Sequence, residues 1–163
     1  MGLKKNKITT LFLKYPRFFI RLISKYYPFD LNLLLKHEYL LDWSLISENE
    51  AISWDADIIK AGQGRWDWKI LSTNPAVFRD VNLIEIFNYH IHWEYANDPY
   101  CTTIASNTGI NWTIELIEKY EDLWDYHQMS HNTHIPWTES LIDKYINKWD
   151  WESMSSNQSL PWT

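Results

Sequence analysis

Residues 137–162, WTESLIDKYINKWDWESMSSNQSLPW, decide the fold class, because their grammar recurs along most of the chain. Thr138 stands before Leu141, Ile142, Tyr145 and Trp149, apolar positions that share one face of a helix, with charged residues on the other side. Asp150 and Trp151 then open a second short segment, which runs through Met154 to Asn157 and ends in Leu160-Pro161-Trp162.

Aligning the chain with itself finds this unit again. Asn49, Asn74, Asn107, Asn132 and Asn157 are separated by steps of 25, 33, 25 and 25 residues. Each lies six residues after Trp43, Trp68, Cys101, Tyr126 or Trp151, and five before Trp54, Arg79, Trp112, Trp137 or Trp162. Leu116-Ile117 and Leu141-Ile142 mark one further column, and Trp66, Trp124 and Trp149, each followed by Asp, mark another. Ten of the 11 tryptophans fall in these columns, and Trp93 stands outside them.

Asp55, Asp80, Thr113 and Thr138 precede the first apolar series, so their oxygens are expected to cap a first helix. Asp67, Asp125 and Asp150 are expected to cap a second, shorter one, with Asn ending it in a left-handed conformation. A pair of short helices cannot bury its own Trp and Leu-Ile columns, so neighbouring units must stack. The sequence therefore predicts an all-α chain, a short α-solenoid of two-helix repeats of about 25 residues.

The pattern breaks in informative places. The unit from Arg79 to Asn107 is eight residues longer than the others, which predicts an inserted loop near 91–100. That loop carries His90, His92, Trp93, Tyr95 and Asp98, an aromatic set suited to partner contact. Gly62 and Gly64 predict a shortened helix in the unit that begins at Asp55. Residues 1–28 show no clear copy; Arg17, Arg21 and Lys25 fall at i, i+4 and i+8 opposite Phe18, Phe19, Leu22, Ile23 and Tyr26. This reads as a basic amphipathic cap or arm ahead of an array over 29–163. Leu160-Pro161-Trp162-Thr163 reads as the link into a further helix, an open end through which the array could self-associate.

Composition narrows the function classes. The chain is 45% hydrophobic and 22% charged, as globular domains are, but 17% aromatic. Residues 1–28 hold seven basic side chains and no acid, and the remaining eight basic and 21 acidic residues leave the rest near −13. Such a body repels nucleic acid. The lone Cys101 offers no internal disulfide, no secretory leader or membrane span is legible, and a cytoplasmic setting follows as the expectation.

Chemistry is harder to find. His127, His131 and His134 are spaced i, i+4 and i+7, and His90 and His92 lie nearby in the longer unit, so a metal-dependent enzyme is one reading. The spacing runs off the short helix at Asn132, however, and no metal or cofactor is expected. Ser47, Ser72, Ser130 and Ser155 recur in register and so belong to the frame, not to a nucleophile site.

The motif Trp-Asp-Trp-x-x-Leu-Ser-x-Asn-x-x-Leu-Pro-Trp resembles tryptophan-rich tandem helical repeats of uncharacterised bacterial and large-virus proteins, over residues 30–163. The resemblance implies no activity. The leading expectation is a non-catalytic scaffold for protein–protein interaction, its partner a protein or peptide of basic character. The contacts expected are His90, His92, Trp93, Tyr95, Lys69, His127 and Glu152. A membrane-peripheral adaptor that docks through Arg17, Arg21 and Lys25 is the alternative.

Overall fold

The computed structural model describes residues 7–93 and 102–161, and all regular secondary structure among them is helical. Two compact units divide at Asp67. The first holds α1 (Lys7–Lys14), α2 (Pro16–Tyr26), α3 (Leu31–Lys36), α4 (Trp43–Ser47) and α5 (Ala56–Ala61). The second holds α6 (Trp68–Thr73), α7 (Asn82–Ile86), a 3-10 turn over Ile104–Ser106, α8 (Ile114–Lys119), α9 (Tyr126–His131), α10 (Glu139–Lys144) and α11 (Trp151–Ser156).

From α3 on, no helix exceeds six residues, too short to persist in water on propensity alone. Caps and packing hold them. Asp30, Asp42, Asp55, Thr113, Asp125 and Thr138 each accept the N–H of the residue three ahead, and Asp150 accepts that of Glu152. Asp80 bonds Asn82 N–H at 3.0 Å, so α7 starts two residues beyond it. After α4, the 3-10 turn and α9 comes a tight turn in which the backbone N–H groups of Trp54, Trp112 and Trp137 donate to Ile52, Ile110 and Ile135 O at 3.0, 3.0 and 2.8 Å. Pro136 fits the middle of such a turn because its fixed φ needs no donor there.

The asparagines behave differently from expectation. Asn107, Asn132 and Asn157 are extended, with φ of −68°, −76° and −79°, and their side chains are buried. Each Nδ2 reaches back to two carbonyls about one repeat earlier: Asn107 to Ser72 and Asn74, Asn132 to Ala105 and Asn107, and Asn157 to Ser130 and Asn132. In the first unit Asn49 bonds Ser24 and Tyr27 O at 2.9 Å each. The Oδ1 atoms meanwhile accept the N–H two residues on, at Ala51, Ala76, Gly109, His134 and Ser159. An amide suits this position because it donates twice and accepts on its other end. A left-handed helix stop would use none of that.

Serine supplies a second joint. Ser47 and Ser130 Oγ accept Asp67 and Asp150 N–H at 3.1 and 3.0 Å, while donating to Trp43 and Tyr126 O in their own helix. Ala105 occupies this column in the longer unit and cannot accept the Asp125 N–H. Ala105→Ser is therefore expected to raise stability by about 1 kcal/mol, read as a higher urea midpoint with unchanged m-value.

Ile46, Ile59, Leu71, Ile84, Ile104, Ile117, Met129 and Met154 have no exposed surface and form the aliphatic core. Tryptophans surround it in clusters of three rings. Trp66 lies 4.8 Å from Trp43 and 5.2 Å from Trp54; Trp124 lies 4.9 Å from Trp93 and 5.0 Å from Trp112; Trp149 lies 5.0 Å from Tyr126 and 4.9 Å from Trp137. Each central indole N–H donates to the carbonyl seven residues earlier, at Ile59, Ile117 or Ile142, so burial strands no donor.

One glycine expectation changes. Helix α5 has six residues, as α8 and α10 do, so Gly62 does not shorten it. A Cβ at Gly62 would clash with the Trp66 ring and lie 2.8 Å from Trp43. At Gly109 a Cβ would stand 1.7 Å from Pro75 O, a backbone atom. Gly109→Ala should cost about 1–3 kcal/mol through forced backbone displacement, and an unshifted thermal midpoint would contradict that contact.

The end of α2 makes bonds like those of the later helices. Asn49 bonds Ser24 O as Asn132 bonds Asn107 O, Ser24 Oγ accepts Asp42 N–H from two positions beyond the place of Ser47, which accepts Asp67 N–H, and Phe29 N–H closes the link turn on Tyr27 O. Ser24 lies 25 residues before Asn49, and Pro28-Phe29-Asp30 reads as Pro136-Trp137-Thr138 does. The end of α2 is thus built into the frame.

Candidate functional site

Two regions carry side chains that the frame does not consume: the exposed faces of the short helices, and the N-terminal helices. The insertion comes first, because its placement changes. Trp93 is 9% exposed, donates its indole N–H to Asn88 O at 3.0 Å, and packs on Trp124. Trp43 makes the same bond to Glu38 O and the same packing on Trp66. Trp43, Trp68 and Trp93 are spaced by 25, so Trp93 belongs to the frame.

His92 follows suit. Its N–H donates to Ser72 Oγ at 3.0 Å and its carbonyl accepts Ile104 N–H at 3.0 Å, the bonds made by Asp150 to Ser130 and from Met154. His92 and Trp93 therefore occupy the Asp-aromatic start of a second helix, and Ile104 bonds back to His92 as Met154 does to Asp150. The eight extra residues fall between Trp93 and Ile104 in sequence, and most of the loop expected near 91–100 lies outside the described residues. The expectation of His92 and Trp93 as exposed contacts is corrected: one is half-buried in the cap column and the other is core. Tyr95, Asp98, Cys101 and Trp162 lie outside the described residues.

The other expected contacts remain accessible. His90 is exposed and stacks on Trp68, centroids 4.8 Å apart and planes 17° from parallel. Lys69, His127 and Glu152 are exposed at the position directly after Trp68, Tyr126 and Trp151. His127 Nδ1 lies 2.7 Å from Asp150 Oδ2. The Ser153 hydroxyl, and then His127, hold the Asp150 carboxyl below its usual range.

On the first-helix face, ions pair between successive repeats. Lys119 meets Glu85 and Lys144 meets Glu118, each at 2.7 Å. Hydrogen bonding to the Lys119 ammonium lowers the Glu85 pKa. These pairs are solvated and screened, and they add little to the fold. Tyr126, by contrast, is kept neutral because burial raises its phenol pKa, and it donates to Glu121 O at 3.0 Å.

No family model, curated protein or solved structure matches the chain.

The histidines do not converge. The rings of His127 and His131 lie 5.2 Å apart, but His134 turns toward Thr133, and no group of three His, Cys, Asp or Glu side chains among the described residues is placed to hold a metal. The N-terminal cations are partly engaged: Arg21 pairs with Asp42 at 3.0 Å and Lys25 with Glu48 at 2.7 Å. Arg17 is exposed at the start of α2. Facing away from those pairs, Phe18, Leu22 and Tyr26 are exposed by 61%, 44% and 63%. The sequence placed apolar residues opposite the cations, and it was natural to expect them inside. Instead Ser24 turns inward, because its hydroxyl and carbonyl serve the frame, and part of the apolar face turns out.

Proposed function

We propose that this protein is a non-catalytic α-solenoid scaffold, built of two-helix repeats, that binds a protein or peptide partner. The observation that carries the reading is the division of labour between columns. Trp66, Trp112, Trp124, Trp137 and Trp149, the asparagines Asn49, Asn74, Asn107, Asn132 and Asn157, and Leu83-Ile84 and Leu116-Ile117 are buried, while the positions after Trp68, Tyr126 and Trp151 are exposed and differ in type: Lys69, His127, Glu152. Repeat proteins bind through such variable positions on a fixed frame.

The acidic balance of residues 29–163 favours a basic partner, and Asp143 and Glu152 supply exposed carboxylates in the last repeat. The reading does not need the inserted segment to be the contact. A cytoplasmic setting and a further contact at the C-terminal end belong to the same proposal.

Titrating the full chain with a Lys/Arg-rich peptide and with its Glu/Asp counterpart tests the reading. The basic peptide should bind selectively, and the combined Asp143→Lys and Glu152→Lys variant should bind it about tenfold more weakly, since each reversal near the site shifts binding by roughly 0.7 kcal/mol. Equal binding of both peptides, or an unaffected variant, would contradict it.

A further inference from the structure

We infer that α1 and α2 form a docking surface for an anionic lipid bilayer, on which the protein lies without crossing it. This goes beyond the scaffold reading and does not depend on it. Twelve of the 17 large hydrophobic side chains found exposed among the described residues lie between Leu11 and Leu40. On α2, Phe18, Leu22 and Tyr26 follow one another at i, i+4 and i+8, so they form one continuous stripe. Leu11 and Leu13 extend the exposed apolar surface onto α1.

Charge selects the occupant. Residues 1–28 carry seven cations and no acid, against a net charge near −13 for the rest. Lys14 and Arg17 are exposed between the apolar residues of the two helices. Apolar side chains sunk to the headgroup boundary, with cations at the phosphate level, are the arrangement by which a surface helix holds an acidic leaflet. Tyr15, Tyr26 and Tyr27 are all exposed beside it, and tyrosine favours the membrane interface because its ring is apolar and its hydroxyl polar.

A second copy of the chain fits less well, because a two-fold contact through this face would set Lys14 and Arg17 against the same cations of the other copy. Insertion across the bilayer is not available to these helices: no helix among the described residues is long and apolar enough to span. In the same unit Phe12, Ile20, Ile23, Leu33 and Leu40 line an open apolar groove of about 380 Å³, further surface that water covers at a cost.

Sedimentation of the full chain with vesicles tests the inference. Phosphatidylcholine vesicles containing phosphatidylserine should pellet the protein, phosphatidylcholine alone should bind about tenfold less, and high salt should release it. Phe18→Asp with Leu22→Asp, and separately Lys14→Glu with Arg17→Glu, should each weaken binding about tenfold. Both sets lie at exposed positions, and an unchanged thermal midpoint confirms that each variant is folded. The inference is overturned if wild-type protein stays in the supernatant, if either variant binds as wild type does, or if both lipids bind equally. It is also overturned if light scattering without lipid shows a dimer that Phe18→Asp with Leu22→Asp dissolves. Peptide binding at the acidic repeats is a separate readout, so either proposal can fail alone.

Discussion

Replacing Asn132 with Asp is expected to remove about 3–5 kcal/mol of folding stability at neutral pH, the cost of leaving a buried charge without a partner. The substitution keeps the size and the acceptor that binds His134 N–H at 2.9 Å, but it turns the donor for Ala105 O, at 2.8 Å, into a second acceptor. Carboxylate oxygen then faces carbonyl oxygen in a buried site. Protonation restores one donor, so the introduced carboxyl has a folded pKa above its unfolded value. The neutral, better-tolerated form prevails below the unfolded pKa, and its advantage is lost as pH rises through the folded pKa. Urea midpoints of the variant should therefore approach wild type as pH falls, a trend that Asn132→Ala should lack. Asn132→Ala, which strands the Ala105 carbonyl and the His134 N–H while Asn107 O keeps the Trp112 indole, should cost roughly 1–3 kcal/mol at every pH.

Truncating Trp124 to Ala should cost about 3–5 kcal/mol, the usual range for deleting a buried aromatic. Its ring is nearly fully buried against Trp93, Trp112 and Tyr120, and its N–H donates to Ile117 O at 3.0 Å. Trp124→Phe keeps part of the packing and loses the bond, so it should fall between wild type and Ala. Against a total stability of about 5–15 kcal/mol for an ordinary domain, the Ala variant would be marginal. Chemical denaturation followed by tryptophan fluorescence reads both, and a loss below 1 kcal/mol for Ala would contradict the cluster's role.

How far the sequence could be read depends on which signals are local. Helical character was legible because caps and apolar spacing are set within a few residues: Asp55, Thr113 and Thr138 cap where they were expected to. The Asn column was visible, but its reason was not. A local argument offers Asn only a turn, whereas its partners Ser72, Ala105 and Ser130 lie 27 to 35 residues back and come into reach only after packing.

Trp93 was misplaced for a related cause. Counting back from Asn107 across an insertion puts the gap before Cys101, whereas counting forward from Trp68 by 25 reaches Trp93 at once. The bond from Ile104 N–H to His92 O shows which count the fold follows. Likewise, the face of α2 that packs inward is chosen by Ser24, a small polar residue to which apolar periodicity gives no weight. Of the expected contacts, His90, Lys69, His127 and Glu152 stay exposed because they lie between framework columns, while His92 and Trp93 are drawn into those columns.

The central claim is that the buried amides of Asn107, Asn132 and Asn157 tie the chain to backbone carbonyls 25 to 35 residues earlier. Side-chain amide hydrogen exchange, followed by NMR, reads that bond directly. The Nδ2 protons of Asn107, Asn132 and Asn157 should exchange far more slowly than those of the exposed Asn147. Exchange of all four at one rate would mean that the joints do not exist.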